Sequence, residues 1–147
     1  MNKVVLDSCV FSKLFLQEPD HQEAVELITE LSQRNIKVLV PSLFLYEVLS
    51  IAATSPFPVK NVHALITQYQ SANLEIVALD EKTILKAIDI CAHGHEKSGF
   101  PSFYDASYHA LAINNGCQFI TADKRHVAKA KAFGHVLLLS DWNGISK

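Results

Sequence analysis

The sequence predicts an α/β protein built on a parallel β-sheet with helices covering both faces. Short apolar runs alternate along the chain with longer segments of helical periodicity. The runs VVL, VLV and VLLL have no polar residue at alternate positions, as expected for strands that are covered on both sides. The chain has 147 residues and is 49% apolar, which is enough for one self-sufficient core.

Five strands and seven helices follow from these patterns. The strands are predicted at 3–6, 36–40, 75–79, 118–121 and 135–139. The helices are predicted at 10–17, 21–34, from 43 to a break at 55–58, and at about 60–71, 81–92, 103–115 and 124–133. Ser42, Asp80 and Ser102 each precede a predicted helix and are expected to cap it. The loop 93–102 lies within the domain, and no break in the pattern is long enough to divide the chain. Residues 1–147 are therefore expected to form one domain.

Composition excludes several classes of protein. The formal net charge of -2 argues against binding nucleic acid through bulk positive charge. The three cysteines are odd in number and have no close spacing, so neither a disulfide framework nor a structural zinc site is expected, and a reducing cytoplasm is the simplest location. The apolar N-terminal run is broken by Asp7, and no run reaches 18 apolar residues. We therefore expect no signal peptide and no membrane span.

Two acidic residues follow predicted strands. Asp7 comes directly after the first strand, and Asp123 lies two residues after the fourth. Ligand sites of open parallel sheets lie beyond the carboxyl ends of the strands, so the two acids would share a crevice if these strands are neighbours. Either acid could instead serve only as the N-cap of the helix that follows it.

Two further acids lie near the starts of predicted helices. Asp105 comes three residues after Ser102, and Glu47 comes five residues after Ser42. Asp105 has an alternative role as the capping-box partner of Ser102. Glu47 could be an ordinary solvated helix residue, although its largely apolar surroundings favour an acid that faces a site.

Convergence of the four acids would require compensating positive charge. At a separation of about 6 Å and an effective dielectric constant of about 20, each pair of carboxylates repels by roughly 3 kcal/mol. Hard oxygen ligands favour Mg²⁺ or Mn²⁺, and four negative charges would balance two such ions. Two metal ions can stabilise both the attacking and the leaving oxygen in phosphodiester hydrolysis. The pattern therefore permits a small metal-dependent nuclease, on the condition that the four acids converge.

Four segments of the chain together resemble the PIN-domain ribonucleases, and in particular the VapC-type toxins of prokaryotic toxin–antitoxin pairs. They are VVLDSCV at the N-terminus, LYEV at 45–48, FYDASYHALA at 103–112 and FITAD at 119–123. The resemblance covers nearly the whole chain. It implies a Rossmann-like three-layer α/β/α sandwich with five parallel strands and an endoribonuclease that depends on Mg²⁺ or Mn²⁺.

The resemblance also implies roles for individual residues. Asp7, Glu47, Asp105 and Asp123 take the positions of the family's four acids, with Asp7 and Asp105 holding the principal metal ion, Glu47 binding directly or through water, and Asp123 completing the site or helping to bind a second ion. Thr121 stands at the family's hydroxyl position and would orient a water or Asp7, unless it is an ordinary strand-end residue. A homodimer and a cognate antitoxin are implied as partners, with RNA as the substrate.

The chain departs from the family pattern at Cys9, where a serine or asparagine is usual, and a thiol is the weaker hydrogen-bond partner. Ser8 could support Asp7 in its place. Lys13, Lys124 and Arg125 are candidates for holding phosphate, although a solvated basic face is an alternative for the last helix.

Two other functions compete with the nuclease. A non-catalytic PIN-like module that binds RNA or a partner is the main one. A phosphotransferase of the haloacid-dehalogenase type is disfavoured, because that chemistry needs an aspartate at the position of Cys9.

Overall fold

The structure is a computed structural model that describes residues 1–142 and 144. Its strands are β1 (Lys3–Leu6), β2 (Lys37–Pro41), β3 (Leu74–Val77), β4 (Gln118–Thr121) and β5 (Val136–Leu138). They form one sheet in the order β3-β2-β1-β4-β5, and every neighbouring pair is parallel. The predicted parallel five-stranded sheet is therefore confirmed.

Helices connect the strands and cover the sheet in a three-layer α/β/α arrangement, as predicted. They are α1 (Ser8–Ser12), α2 (His21–Gln33), α3 (Leu43–Ala53), α4 (Val59–Gln70), α5 (Glu81–Ala92), α6 (Phe103–Asn114) and α7 (Lys124–Ala130). Short 3₁₀ turns occupy Lys131–Phe133 and Leu139–Asp141. In the part of the chain that the structure describes, no helix is both long and apolar enough to cross a membrane.

The first helix begins earlier than predicted and is shorter. Asp7 caps it, because the Asp7 carboxylate accepts a hydrogen bond from the Cys9 N–H. The first helical residue is therefore Ser8 rather than residue 10. Beyond Ser12 the backbone continues in tighter turns with i to i+3 hydrogen bonds, such as that from the Phe15 N–H to the Ser12 carbonyl.

The predicted caps have mixed outcomes. Asp80 and Ser102 accept hydrogen bonds from the Thr83 and Asp105 N–H groups, as predicted. The prediction for Ser42 was wrong, since its side chain makes no capping hydrogen bond. The last helix also ends sooner than predicted, at Ala130, where the chain tightens into a 3₁₀ turn that Gly134 terminates in the left-handed region at φ 70°.

The sheet reverses its strand order at β1. From β1 the chain proceeds outward to β2 and β3, and then returns to place β4 on the other side of β1. Val4 and Val5 of β1 are fully buried at the centre of the core. The carboxyl ends of β1 and β4 therefore form the crevice at which ligands bind in sheets of this topology.

Candidate active site

The crevice between β1 and β4 brings Asp7, Thr121 and Asp123 together. The Asp7 N–H donates to the Ile120 carbonyl across the two strands at 3.0 Å. The Thr121 hydroxyl donates to Asp7 Oδ2 at 2.7 Å and accepts from the Asp123 N–H at 3.0 Å. Thr121 thereby fixes the Asp7 carboxylate relative to the backbone of Asp123.

Asp7 is a buried carboxylate, only 5% exposed. Burial raises its pKa to about 6, the hydrogen bond from Thr121 opposes the rise, and the negative charge of Asp105 adds to it. At neutral pH the group is ionised and poorly solvated, and no described residue forms an ion pair with it. A bound cation would relieve this cost.

Glu47 is held beside Asp7 by neutral donors. Its Oε1 accepts the Tyr108 hydroxyl at 2.7 Å. The Ser8 hydroxyl lies 3.3 Å from Glu47 Oε1 and 3.3 Å from Asp7 Oδ1, so it bridges the two acids. Glu47 Oε2 accepts no hydrogen bond from the described residues, which leaves it available to a ligand.

Asp105 lies in the first turn of α6. Its carboxylate interacts through its charge with both Asp7 and Asp123. Burial raises its pKa, and the charge of Asp123 raises it further, whereas the Ser102 hydroxyl and the charge of Lys129 lower it. The Asp105 N–H donates to Ser102 Oγ at 3.1 Å. The capping hydrogen bond and the charge interaction with the other acids therefore coexist at this residue.

Asp123 is the N-cap of α7, the alternative left open by its sequence. Its Oδ1 accepts the N–H groups of Arg125 at 2.9 Å and His126 at 3.2 Å. Its Oδ2 accepts no hydrogen bond from the described residues. The cap thus uses one carboxylate oxygen and leaves the other open.

One shared hydrogen-bond donor and two charge interactions link the four acids in pairs. Ser8 bridges Asp7 and Glu47, and Asp105 interacts electrostatically with Asp7 and with Asp123. Within residues 1–142 and 144, no group of three histidine, cysteine or acidic side chains is arranged to hold a metal ion. The donor chemistry nevertheless fits a hard divalent cation, since the unengaged atoms are carboxylate oxygens in a region of excess negative charge.

The basic residues predicted to hold phosphate occupy two different environments. Lys124 and Arg125 are exposed in the first turn of α7, next to Asp123. Lys13 is only 6% exposed, and its ammonium lies 3.2 Å from Glu18 Oε2 and 2.8 Å from Asp20 Oδ1. The charge of Lys13 is therefore already balanced by two carboxylates.

Sequence reasoning missed Tyr108 as a residue of this site and did not predict the charge interaction between Lys129 and Asp105. Tyr108 is buried and stacks on Phe119, with ring centroids 5.6 Å apart, and its hydroxyl reaches Glu47. Lys129 lies close enough to Asp105 to lower the pKa of that carboxyl. A signal for Tyr108 was present, because it lies three residues after Asp105 and so on the same side of α6.

Comparison with known proteins identifies the family. The model of the PIN domain family matches residues 4–132, and the chain therefore belongs to the PIN domain family. A search of curated protein sequences gives no match.

Several solved structures share the fold. VapBC2 of Rickettsia felis, bound to a promoter DNA fragment, is 16% identical with a TM-score of 0.69, and the match covers 96% of this chain and 99% of that chain. DNA-bound VapBC of Salmonella typhimurium is 20% identical with a TM-score of 0.67, covering 95% and 99%. VapC20 of Mycobacterium tuberculosis, a toxin that cleaves the sarcin–ricin loop, is 17% identical with a TM-score of 0.65, covering 85% and 93%.

Proposed function

We propose that this protein is a metal-dependent endoribonuclease that hydrolyses RNA phosphodiester bonds at the carboxyl edge of its sheet. The observation that carries the proposal is the buried Asp7 carboxylate, linked to Glu47 through Ser8 and repelled by Asp105, with no cationic side chain paired to it among the described residues. Membership of the PIN domain family supports the same reading.

The acids would hold one or two Mg²⁺ or Mn²⁺ ions. Asp7 and Asp105 would hold the principal ion, Glu47 would bind it through the unengaged Oε2 or through water, and Asp123 would complete the site or help to hold a second ion. When bound, such an ion lowers the pKa of a coordinated water and offsets charge on the phosphate.

The remaining side chains would bind and orient the substrate and the acids. Thr121 and Ser8 restrain the Asp7 carboxylate through their hydroxyls. Lys124 and Arg125 are exposed beside Asp123 and suit contact with RNA phosphates. Lys13, enclosed by Glu18 and Asp20, would reach a phosphate only by leaving one of these partners.

We further propose that the protein is the toxin of a type II toxin–antitoxin pair in the cytoplasm, acting as a homodimer with a cognate antitoxin protein. Structural likeness to the VapC and VapBC proteins supports this role. The outer face of α5 supports a protein interface, since Ile84, Leu85 and Ile88 are 38%, 59% and 51% exposed there.

Cleavage assays on purified protein test the enzyme. We expect cleavage of RNA with Mn²⁺, loss of cleavage with EDTA, and a decrease of roughly 100-fold or more for Asp105→Asn, because loss of even a supporting residue costs roughly 10- to 100-fold at metal sites. Glu26→Gln, an exposed change on α2, is the control. If the partner-free protein binds RNA but cuts none with Mn²⁺, the non-catalytic RNA- or partner-binding module is the better description; the paired arrangement of the acids is the observation in favour of that alternative.

Replacing Tyr108 with phenylalanine should weaken the site without removing an acid. The change deletes the hydroxyl that donates to Glu47 and keeps the ring stacked on Phe119. We expect the free energy of unfolding to fall by about 1.5 kcal/mol, and RNA cleavage to fall by roughly 10- to 100-fold. Chemical denaturation and cleavage rates measure the two effects. Tyr69→Phe on α4 serves as the control, and equal cleavage by both variants would contradict a role for the Tyr108 hydroxyl.

A further inference from the structure

Two histidines form a buried pair next to the acids, outside the set of site residues described above. His109 of α6 and His126 of α7 are 0% and 1% exposed. His109 Nδ1 lies 3.1 Å from His126 Nε2, and His109 Nε2 lies 2.6 Å from the Gly134 carbonyl oxygen. We call this pair the histidine dyad.

The contacts determine which nitrogen carries each proton. A carbonyl oxygen only accepts, so His109 Nε2 carries hydrogen and donates to Gly134. Burial lowers the pKa of both histidines to about 4, so both are neutral at pH 7. His109 Nδ1 is therefore an acceptor, and His126 Nε2–H donates to it. The remaining nitrogen, His126 Nδ1, is a buried acceptor with no partner among the described residues.

This arrangement is unfavourable if the dyad serves stability alone. The two imidazoles lie among the rings of Phe119 and Phe133, where an apolar pair could pack without an unsatisfied nitrogen. Unsatisfied buried polar atoms are uncommon in native proteins, and a functional role is one explanation for them. The position of the dyad suggests which role it has.

Hydrogen bonds connect the dyad to the acids without a gap. The backbone N–H of His126 donates to Asp123 Oδ1, the Asp123 N–H donates to Thr121, and the Thr121 hydroxyl donates to Asp7. The dyad also joins the helix that carries Asp105 to the helix that Asp123 caps. It is a side-chain hydrogen bond between these two helices.

We propose that His109 and His126 are positioning residues, whose mutual hydrogen bond fixes α7 against α6 and so sets the separation between the Asp123 and Asp105 carboxylates for a divalent cation. The inference rests on the proposed metal-dependent function. Neither histidine would bind the metal ion itself; the histidine dyad would instead fix the position of Asp123.

Mn²⁺ binding by the full chain without RNA tests the proposal. Free Mn²⁺ is measured by electron paramagnetic resonance, and thermal unfolding is followed in EDTA at pH 7. We expect His126→Leu to bind Mn²⁺ about ten-fold more weakly. Its unfolding temperature should stay close to that of the wild type, because the change removes one unsatisfied buried nitrogen, His126 Nδ1, and leaves another, His109 Nδ1, without its donor. His126→Gln keeps a donor at the position of Nε2 and should bind within about two-fold of the wild type. His63→Gln, an exposed change on α4, is the control.

The outcomes distinguish failure of the positioning role from failure of the proposed metal-dependent function. Wild-type affinity in His126→Leu would overturn the positioning role while leaving the proposed function intact. A wild-type protein that binds no Mn²⁺ would overturn the proposed function and this inference with it. If His126→Leu does not fold, the comparison passes to His126→Gln and His126→Asn, since the shorter amide cannot present a donor to His109. Tighter binding by Gln than by Asn supports positioning, and equal binding overturns it.

Discussion

Asp7→Asn is expected to make the metal-free protein more stable at pH 7 while abolishing metal-dependent RNA cleavage. Burial raises the pKa of Asp7 from 3.8 to about 6, so its ionisation at pH 7 costs the folded state about 3 kcal/mol at 1.36 kcal/mol for each pKa unit. The amide has no charge to bury. It does disturb the hydrogen bond from Thr121, at a cost of about 1 kcal/mol, which leaves a net gain of about 2 kcal/mol.

The stability gained by Asp7→Asn depends on pH. The pKa of Asp7 is higher in the folded than in the unfolded protein, so the folded state holds the proton more tightly. The cost of ionisation is small near pH 4, grows between about pH 4 and pH 6, and is complete above pH 6. The gain from Asp7→Asn should therefore shrink to about 0.5 kcal/mol at pH 5.

Thermal unfolding in EDTA at both pH values measures the effect. A gain of about 2 kcal/mol corresponds to an increase of roughly 4 to 8 °C in unfolding temperature for a chain of this size. Mn²⁺ should stabilise the wild type but not the variant, because the variant lacks a principal ligand. Glu26→Gln removes an exposed carboxylate and should change neither the unfolding temperature in EDTA nor the stabilisation by Mn²⁺. An Asp7→Asn protein that unfolds at a lower temperature than the wild type at pH 7 would refute the account of Asp7 as a destabilising group.

The sheet could be predicted from local sequence because its strands are buried on both faces. Val4, Val5 and Leu6 of β1 form an apolar run, which is typical of a strand in a parallel sheet covered on both faces. The pairing of β1 with β4 was not predicted; it was the condition for Asp7 and Asp123 to share a crevice, and the structure meets that condition. Helix ends were harder to predict, since the start of α1 depends on one weak cap, the 3.4 Å contact between the Cys9 N–H and Asp7.

Side-chain partners across the fold could not be predicted from one sequence. Tyr108 and Glu47 are 61 positions apart, and only the packing of α3 and α6 on the sheet brings the hydroxyl to the carboxylate. The partners of Lys13 could not be predicted either. Its position after Asp7 suggested a phosphate contact, but the turn that follows α1 returns Glu18 and Asp20 to its ammonium. Local patterns reveal which groups carry charge, whereas tertiary packing decides which charges are already balanced.

Acid should destabilise the metal-free protein through the histidine dyad, by about 3 kcal/mol between pH 7 and pH 5. Burial lowers the pKa of His109 and His126 from 6.5 to about 4. At pH values between these two pKa values both histidines are protonated in the unfolded chain and neutral in the folded protein. The stability that the neutral dyad contributes is complete above pH 6.5 and is lost as the pH falls toward 4. At pH 5 the two groups together lose about 4 kcal/mol, and protonation of Asp7 returns about 1 kcal/mol.

Urea denaturation at pH 7 and pH 5 in EDTA measures the difference. The double variant His109→Leu/His126→Leu removes both titrating groups and fills the same space with apolar atoms. Its stability should no longer fall on acidification, and should instead rise by about 1 kcal/mol at pH 5 through protonation of Asp7. An exposed histidine offers the matched control, and His63→Gln should keep the acid sensitivity of the wild type. If the double variant loses as much stability on acidification as the wild type, the acid response originates elsewhere. The claim that the buried, neutral histidines cause it would then be contradicted. If the double variant loses no stability in acid, the wild type has kept two imidazoles whose burial limits its stability to neutral pH, a cost consistent with the positioning role proposed for them.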